Sequence, residues 1–183
     1  SPHNPATAYV AYTRYKFNDF APHVLITTDY GESWDDRTNG IPEEAWTKVV
    51  REDHVRPGLL YLGTETGMYV SWDQGGHWQS LQLDLPNTPI NDLIIQRREN
   101  DLVAATSGRS FWILDDLTPL QNAPEVEGEA YLLAPRHAYR LALSGGGGPG
   151  GNSGGQNPPD GAVFDIYLGE EPTETDTVTV EML

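Results

Sequence analysis

From residue 7 to residue 115 the chain alternates short apolar or β-branched runs with clusters of turn residues at an even spacing. Residues 7–15 (Thr-Ala-Tyr-Val-Ala-Tyr-Thr-Arg-Tyr) are dense in aromatic and β-branched side chains and predict a strand. Residues 17–22 make a turn around Asn18-Asp19, and 23–28 and 34–38 predict two further strands. A second group holds four predicted strands, 45–51, 59–64, 68–72 and 78–83, divided by Arg56-Pro57-Gly58 and Thr66-Gly67. A third holds 90–96, 102–106 and 110–114, with Asn100-Asp101 as its first turn. The first group matches the second without its first strand, so its innermost strand is expected upstream of residue 1.

Two of the turns share one motif. Thr27-Thr28-Asp29-Tyr30-Gly31-Glu32-Ser33-Trp34 and Ser71-Trp72-Asp73-Gln74-Gly75-Gly76-His77-Trp78 both run hydroxyl, any, Asp, any, Gly, any two, Trp, with their aspartates 44 residues apart. An Asp carboxylate accepts hydrogen bonds from backbone N–H groups just downstream, and Gly31 and Gly75 can take positive φ without Cβ strain. Each turn is therefore expected to be locked from within, with Trp34 and Trp78 restarting an extended run. A period near 44 with four short strands points to the blades of a β-propeller. Asp115 falls at the matching position of the third group, but the following Gly and Trp are missing, so the third hairpin is expected to be degenerate.

Both segments resemble the Asp-boxes, or BNR repeats, of sialidases, xyloglucan-cleaving glycosidases, sortilin-type receptors and certain photosystem II assembly factors. The order of segments resembles the C-terminal part of large bacterial BNR-repeat proteins described as glycosyl hydrolase-like or sortilin-like, over about residues 1–143. The resemblance implies that Thr27, Asp29, Gly31, Trp34, Ser71, Asp73, Gly75 and Trp78 are structural, and that the boxes lie at the blade periphery, away from the ligand face. It also implies further blades in a longer parent chain, since a whole propeller has about four to eight and the part before the glycine run holds about three at 40–45 residues each.

Beyond the repeats, residues 124–140 predict irregular chain with short extended pieces at 130–133 and 138–143. Residues 144–161 (Ser-Gly-Gly-Gly-Gly-Pro-Gly-Gly-Asn-Ser-Gly-Gly-Gln-Asn-Pro-Pro-Asp-Gly) are low-complexity and predict a linker. Residues 162–168 and 177–182 alternate apolar and polar, and predict the first hairpin of a truncated β-sandwich over 162–183. The expected class is all-β throughout: propeller blades over 1–143, linker, sandwich start.

Composition narrows the function. With 27 acidic and 11 basic residues the net charge is −16, which disfavours nucleic acid because phosphates would be repelled. Only Lys16 and Lys48 are lysines, and an acid-rich, lysine-poor chain resembles halophile proteins, or equally an ordinary acidic secreted protein. There is no cysteine, hence no disulfide, thiolate metal site or cysteine nucleophile. No run of about 18 apolar residues is present to span a membrane. The first residues, Ser1-Pro2-His3-Asn4-Pro5, read as a start inside a longer polypeptide, and the expected setting is secreted, periplasmic or cell-surface.

Asp29 and Asp73 could be a glycosidase pair only if they flanked one sugar bond about 5–10 Å apart, and the repeat makes them turn locks instead. The arginine triad and Tyr nucleophile of a sialidase are not marked by any spacing, although Arg51, Arg97, Arg98 and Arg109 come from successive blade regions. Arg109, at the turn before its blade's third strand, is the leading ligand candidate, able to clamp a carboxylate or hydroxyl; the competing reading is a salt bridge to Asp115, Asp116 or a neighbouring blade. Arg51 and His54, in Arg51-Glu52-Asp53-His54, are weaker candidates, a solvated loop being the competing reading. The five histidines lack metal spacing and no cofactor is implied. Calcium binding by residues 170–176 is disfavoured by the absence of an ordered glycine. The expected role is a non-catalytic scaffold presenting loops to a glycan or polypeptide, with a BNR-type glycoside hydrolase, catalytic residues mostly elsewhere, as the alternative.

Overall fold

A computed structural model describes residues 1–123, 130–138, 161–170, 172–173, 177–179 and 181. They divide into two compact units, Ser1–Leu117 and Thr118–Leu183. The fold is all-β, built from small antiparallel sheets, and no helix among the described residues is long and apolar enough to cross a membrane.

The first unit is three sheets in chain order. The first comprises β1 (Ala8–Ala11), β2 (Val24–Thr27) and β3 (Asp35–Asp36). The second is a four-stranded meander of β4 (Thr47–Glu52), β5 (Leu60–Thr64), β6 (Met68–Ser71) and β7 (Gln79–Ser80). The third comprises β8 (Ile90–Gln96), β9 (Asp101–Thr106) and β10 (Phe111–Leu114). Strand β4 packs against β1 on one side and β8 on the other, so the sheets stack as propeller-like blades. Each strand expected here from the sequence has a counterpart, but those over 7–15, 34–38 and 78–83 are shortened to four, two and two residues, and a 3-10 turn at Tyr15–Phe17 occupies the end of the first.

Stacking explains the burial. All five residues of β5 are buried, since this strand has a neighbouring blade on both faces, and its sequence accordingly reads as a continuous apolar run rather than an alternation. The core between blades one and two gathers Val24, Ile41, Ala45, Val50, Leu60, Leu62 and Trp78. Gly63 is fixed by the approach of the third blade, because a Cβ there would lie 2.7 Å from Ile90 Cγ2 and 2.7 Å from Val49 Cγ1.

In the second unit a short helix α1 (Thr118–Asn122) replaces the expected end of pattern, with Asn122 Nδ2 donating to Thr118 O at 2.9 Å. Strand β11 (Ala130–Leu132) pairs antiparallel with β12 (Ile166–Leu168), Tyr131 opposite Tyr167. This corrects the expected hairpin between 162–168 and 177–182: β12 takes its partner from upstream, and residues 177–179 are not in a strand. Alternation marks a half-buried strand but not its partner, and Ala-Tyr-Leu satisfies the same pattern. Of the expected linker only Gly161 is among the described residues; of the extended piece 138–143, only residue 138 is.

Candidate functional site

The two repeated turns share three hydrogen bonds of the same geometry. In the first, Thr27 Oγ1 donates to Asp29 Oδ1 at 2.7 Å and accepts from Gly31 N at 2.9 Å, while Ser33 N donates to Asp29 Oδ1 at 2.9 Å. In the second, Ser71 Oγ donates to Asp73 Oδ1 at 2.7 Å and accepts from Gly75 N at 2.9 Å, while His77 N donates to Asp73 Oδ1 at 2.9 Å. Tyr30 and Gln74 adopt left-handed φ of 62° and 59°, and Gly31 and Gly75 follow at 90° and 83°. The Ser33 hydroxyl, which also donates to Asp29 Oδ2 at 2.5 Å, is the main reason that this carboxyl is held down to about 2. At Asp73 partial burial opposes ionisation, but the Ser71 hydroxyl and the His77 and Gly76 N–H groups win and lower its pKa.

The third turn keeps part of this geometry. Asp116 holds φ 58°, as Gln74 and Tyr30 do, yet Ile113 stands where Ser71 and Thr27 supply a hydroxyl. Without that hydroxyl or the following Gly and Trp the box is not made, and the chain enters α1. Asp116 N instead donates to Asp101 Oδ1 at 3.0 Å.

The box Trp joins one blade to the last. Trp78, only 1% exposed, donates Nε1–H to Arg37 O at 2.7 Å, and its backbone N–H reaches Asn39 O at 2.9 Å. Gly40, at φ 93°, is required beside it, because a Cβ would lie 2.2 Å from Trp78 O. Trp34, with no blade before it here, is 42% exposed.

The three candidate ligand residues do not converge. Adjacent strands are antiparallel, so the β4–β5 turn carrying His54 shares one end of the blades with the boxes, and Gln74 N donates to Gly58 O at 3.0 Å across it. Arg109, in the β9–β10 turn, lies at the opposite end. The alternation of strand direction thus sets the two stretches at opposite ends of the blades. Arg51 staples two blades: Nε donates to Leu93 O at 2.9 Å, Nη1 to Val50 O at 2.9 Å and Nη2 to Asp92 Oδ1 at 2.6 Å. Arg109 is exposed, and its guanidinium makes no ion pair among the described residues, so the competing salt bridge, to Asp115, Asp116 or a neighbouring blade, is not formed among them. Its backbone is engaged, N–H to Thr106 Oγ1 at 3.2 Å and C=O from Trp112 Nε1 at 2.9 Å.

The stretch read as a solvated loop conceals a buried acid. Asp53 is 0% exposed, accepting from Val55 N at 2.7 Å and Arg56 N at 2.8 Å on Oδ1, and from the Tyr61 hydroxyl at 3.0 Å on Oδ2. Burial first, then the neighbouring Asp53 charge and hydrogen bond, push the Tyr61 phenol far above its ordinary value, so it remains a donor. Glu52 Oε1 similarly accepts from Tyr9 OH at 3.3 Å and Gly58 N at 2.8 Å, and burial and the Glu52 charge raise the Tyr9 phenol as well. Glu52 Oε2 and His54 Nδ1 are buried without a hydrogen-bond partner among the described residues. The sequence signal for this network was the Tyr inside the apolar run Leu59–Leu62, a buried hydroxyl that needs an acceptor. Among the described residues no group of three or more His, Asp or Glu is placed to hold a metal ion.

No protein-family model matches the chain, and no curated protein matches it. A solved structure, YCF48 bound to D1 peptide, is similar at 23% identity with a TM-score of 0.39. The match covers 51% of this chain and 31% of that one, so the chain spans about a third of that structure's length. A likeness this distant carries no argument about function; the blade reading rests on the sheets themselves.

Proposed function

We propose that this chain is a non-catalytic, Asp-box-type segment of a larger exported β-propeller protein, binding a polypeptide or glycan through its loops. One observation supports it above others: each patterned carboxylate is consumed by its own turn. Asp29 and Asp73 accept from hydroxyl and N–H groups of their own boxes, in different blades, which leaves the glycosidase reading without a carboxylate pair at these positions. Arg109 is the residue on which the loop reading rests, a guanidinium without an ion pair among the described residues, on a turn anchored through Thr106 and Trp112.

The test is a screen of the immobilised chain against arrayed peptides and oligosaccharides, repeated with Arg109→Glu. Saturable binding that falls at least tenfold in the variant, with an unchanged circular dichroism spectrum, is the expected result. Binding that ignores the substitution removes Arg109 from the site. Turnover of an aryl sialoside or of xyloglucan by the chain would overturn the non-catalytic assignment.

A further inference from the structure

The missing third box leaves a gap in the packing. Repeat equivalence is fixed by hydrogen bonds: Arg37 N donates to Val24 O at 2.8 Å and Leu81 N to Met68 O at 2.9 Å, while Ile41 N donates to Thr38 O at 3.1 Å and Leu85 N to Gln82 O at 2.8 Å. Val24, Arg37 and Ile41 of the first blade thus correspond to Met68, Leu81 and Leu85 of the second. On the following blade, Thr64 and Thr106 each close the next turn through their hydroxyls, which aligns Leu60 and Leu62 with Leu102 and Ala104.

Between blades one and two, Val24, Ile41, Leu60 and Leu62 pack with Trp78, and Arg37 O receives the indole N–H. Between blades two and three the equivalents Met68, Leu81, Leu85, Leu102 and Ala104 line a half-open apolar cavity of about 210 Å³. No Trp follows β10 to fill it, and the Leu81 carbonyl, the counterpart of Arg37 O, accepts no hydrogen bond among the described residues. An enclosed cavity of about 150 Å³ lined by Leu, Ile and Phe takes up a benzene ring, and this half-open one is larger.

We propose that this groove is a binding seat for a tryptophan side chain presented by a polypeptide partner, the indole standing where a box Trp would stand and donating its N–H to Leu81 O. The occupant is defined by the adjoining seat, in which the same five positions hold an indole of this chain. Asp84 on the lining and a net charge of −16 favour a partner segment with basic residues beside the Trp. The groove lies between blades rather than on Arg109's loop, so this inference does not rest on the loop-binding reading and can fail or hold without it.

The test is a titration of the full chain with the capped tripeptide Lys-Trp-Lys, followed by the methyl resonances of Met68 and Ala104. Saturable shifts at both methyls are expected, with affinity at least tenfold weaker for the 1-methyltryptophan tripeptide, which lacks the N–H, and for Lys-Leu-Lys. Ala104→Leu, which occupies the cavity, should abolish the Met68 shift, the one reporter that variant keeps. Leu83→Lys puts a charge of the same sign as the peptide's lysines at an exposed rim position and keeps the test available should the first variant not fold; it should weaken binding at least fivefold. Absence of saturable shifts, equal affinity for the Leu peptide, or binding unchanged in the folded variants would overturn the proposal.

Discussion

Hydroxyl and carboxylate in each box form one unit: the hydroxyl donates to the carboxylate and accepts from the glycine N–H, so either alone would leave a turn donor open. The lowered Asp29 pKa has a pH consequence whose sign follows from linkage. Its folded value, about 2, lies below the unfolded value of about 3.9. The stabilisation is therefore complete above pH 4 and is lost as pH falls toward 2. Asp29→Asn should flatten that part of the pH profile of unfolding, measured by urea denaturation from pH 5 to 2; an identical profile would refute the assignment. A second residue-level case is Tyr61, whose hydroxyl serves the fully buried Asp53. Tyr61→Phe removes a donor without changing shape and should cost about 1–3 kcal/mol, the penalty for leaving a buried acceptor unsatisfied. A loss below about 0.5 kcal/mol in the same denaturation assay would mean that the remaining Asp53 partners suffice.

Packing between blades decides the energetics at the level of elements. Trp78 is enclosed by the preceding blade, whereas Trp34 at the same repeat position is 42% exposed. Trp78→Ala should accordingly cost about 3–5 kcal/mol, as for a buried aromatic, and Trp34→Ala markedly less; equal losses would show that the indole acts within its own turn rather than between blades. Gly63 tests the same packing from the opposite direction. Its missing Cβ admits Ile90 of the next blade, so Gly63→Ala should destabilise by about 1–3 kcal/mol through overpacking. These element relations were largely legible in the sequence, because strand period, box spacing and turn residues are local signals. Two were not. Pairing of β12 with β11 depends on which of several similar alternating segments comes near, and burial of Asp53 depends on Tyr61 reaching it across the β4–β5 turn. Residue types named both Arg51 and Arg109 as ligand candidates, but only strand direction separates them to different ends of the blades.

For the whole molecule the balance is set by 27 acids against 11 bases. Some charge is paired, with Lys48 Nζ 2.6 Å from Glu65 Oε2 in a partly buried pair and Arg51 Nη2 2.6 Å from Asp92 Oδ1 in an exposed one, but such pairs are few, and the exposed one contributes little and weakens with salt. The uncompensated carboxylates repel one another, and that term is the larger one. Raising ionic strength from about 10 mM to about 1 M shortens the screening length from about 30 Å to about 3 Å, so it suppresses the repulsion more than it costs the few pairs. The thermal midpoint should therefore rise with sodium chloride, and most steeply at low salt where screening changes fastest. A midpoint that fell with salt would mean that the ion pairs, above all the Arg51 staple between β4 and β8, outweigh the net charge. Methionine at Arg51 separates these cases: it keeps the stem and removes the pair, so under the repulsion account it lowers the midpoint at every salt concentration while leaving the upward slope in place.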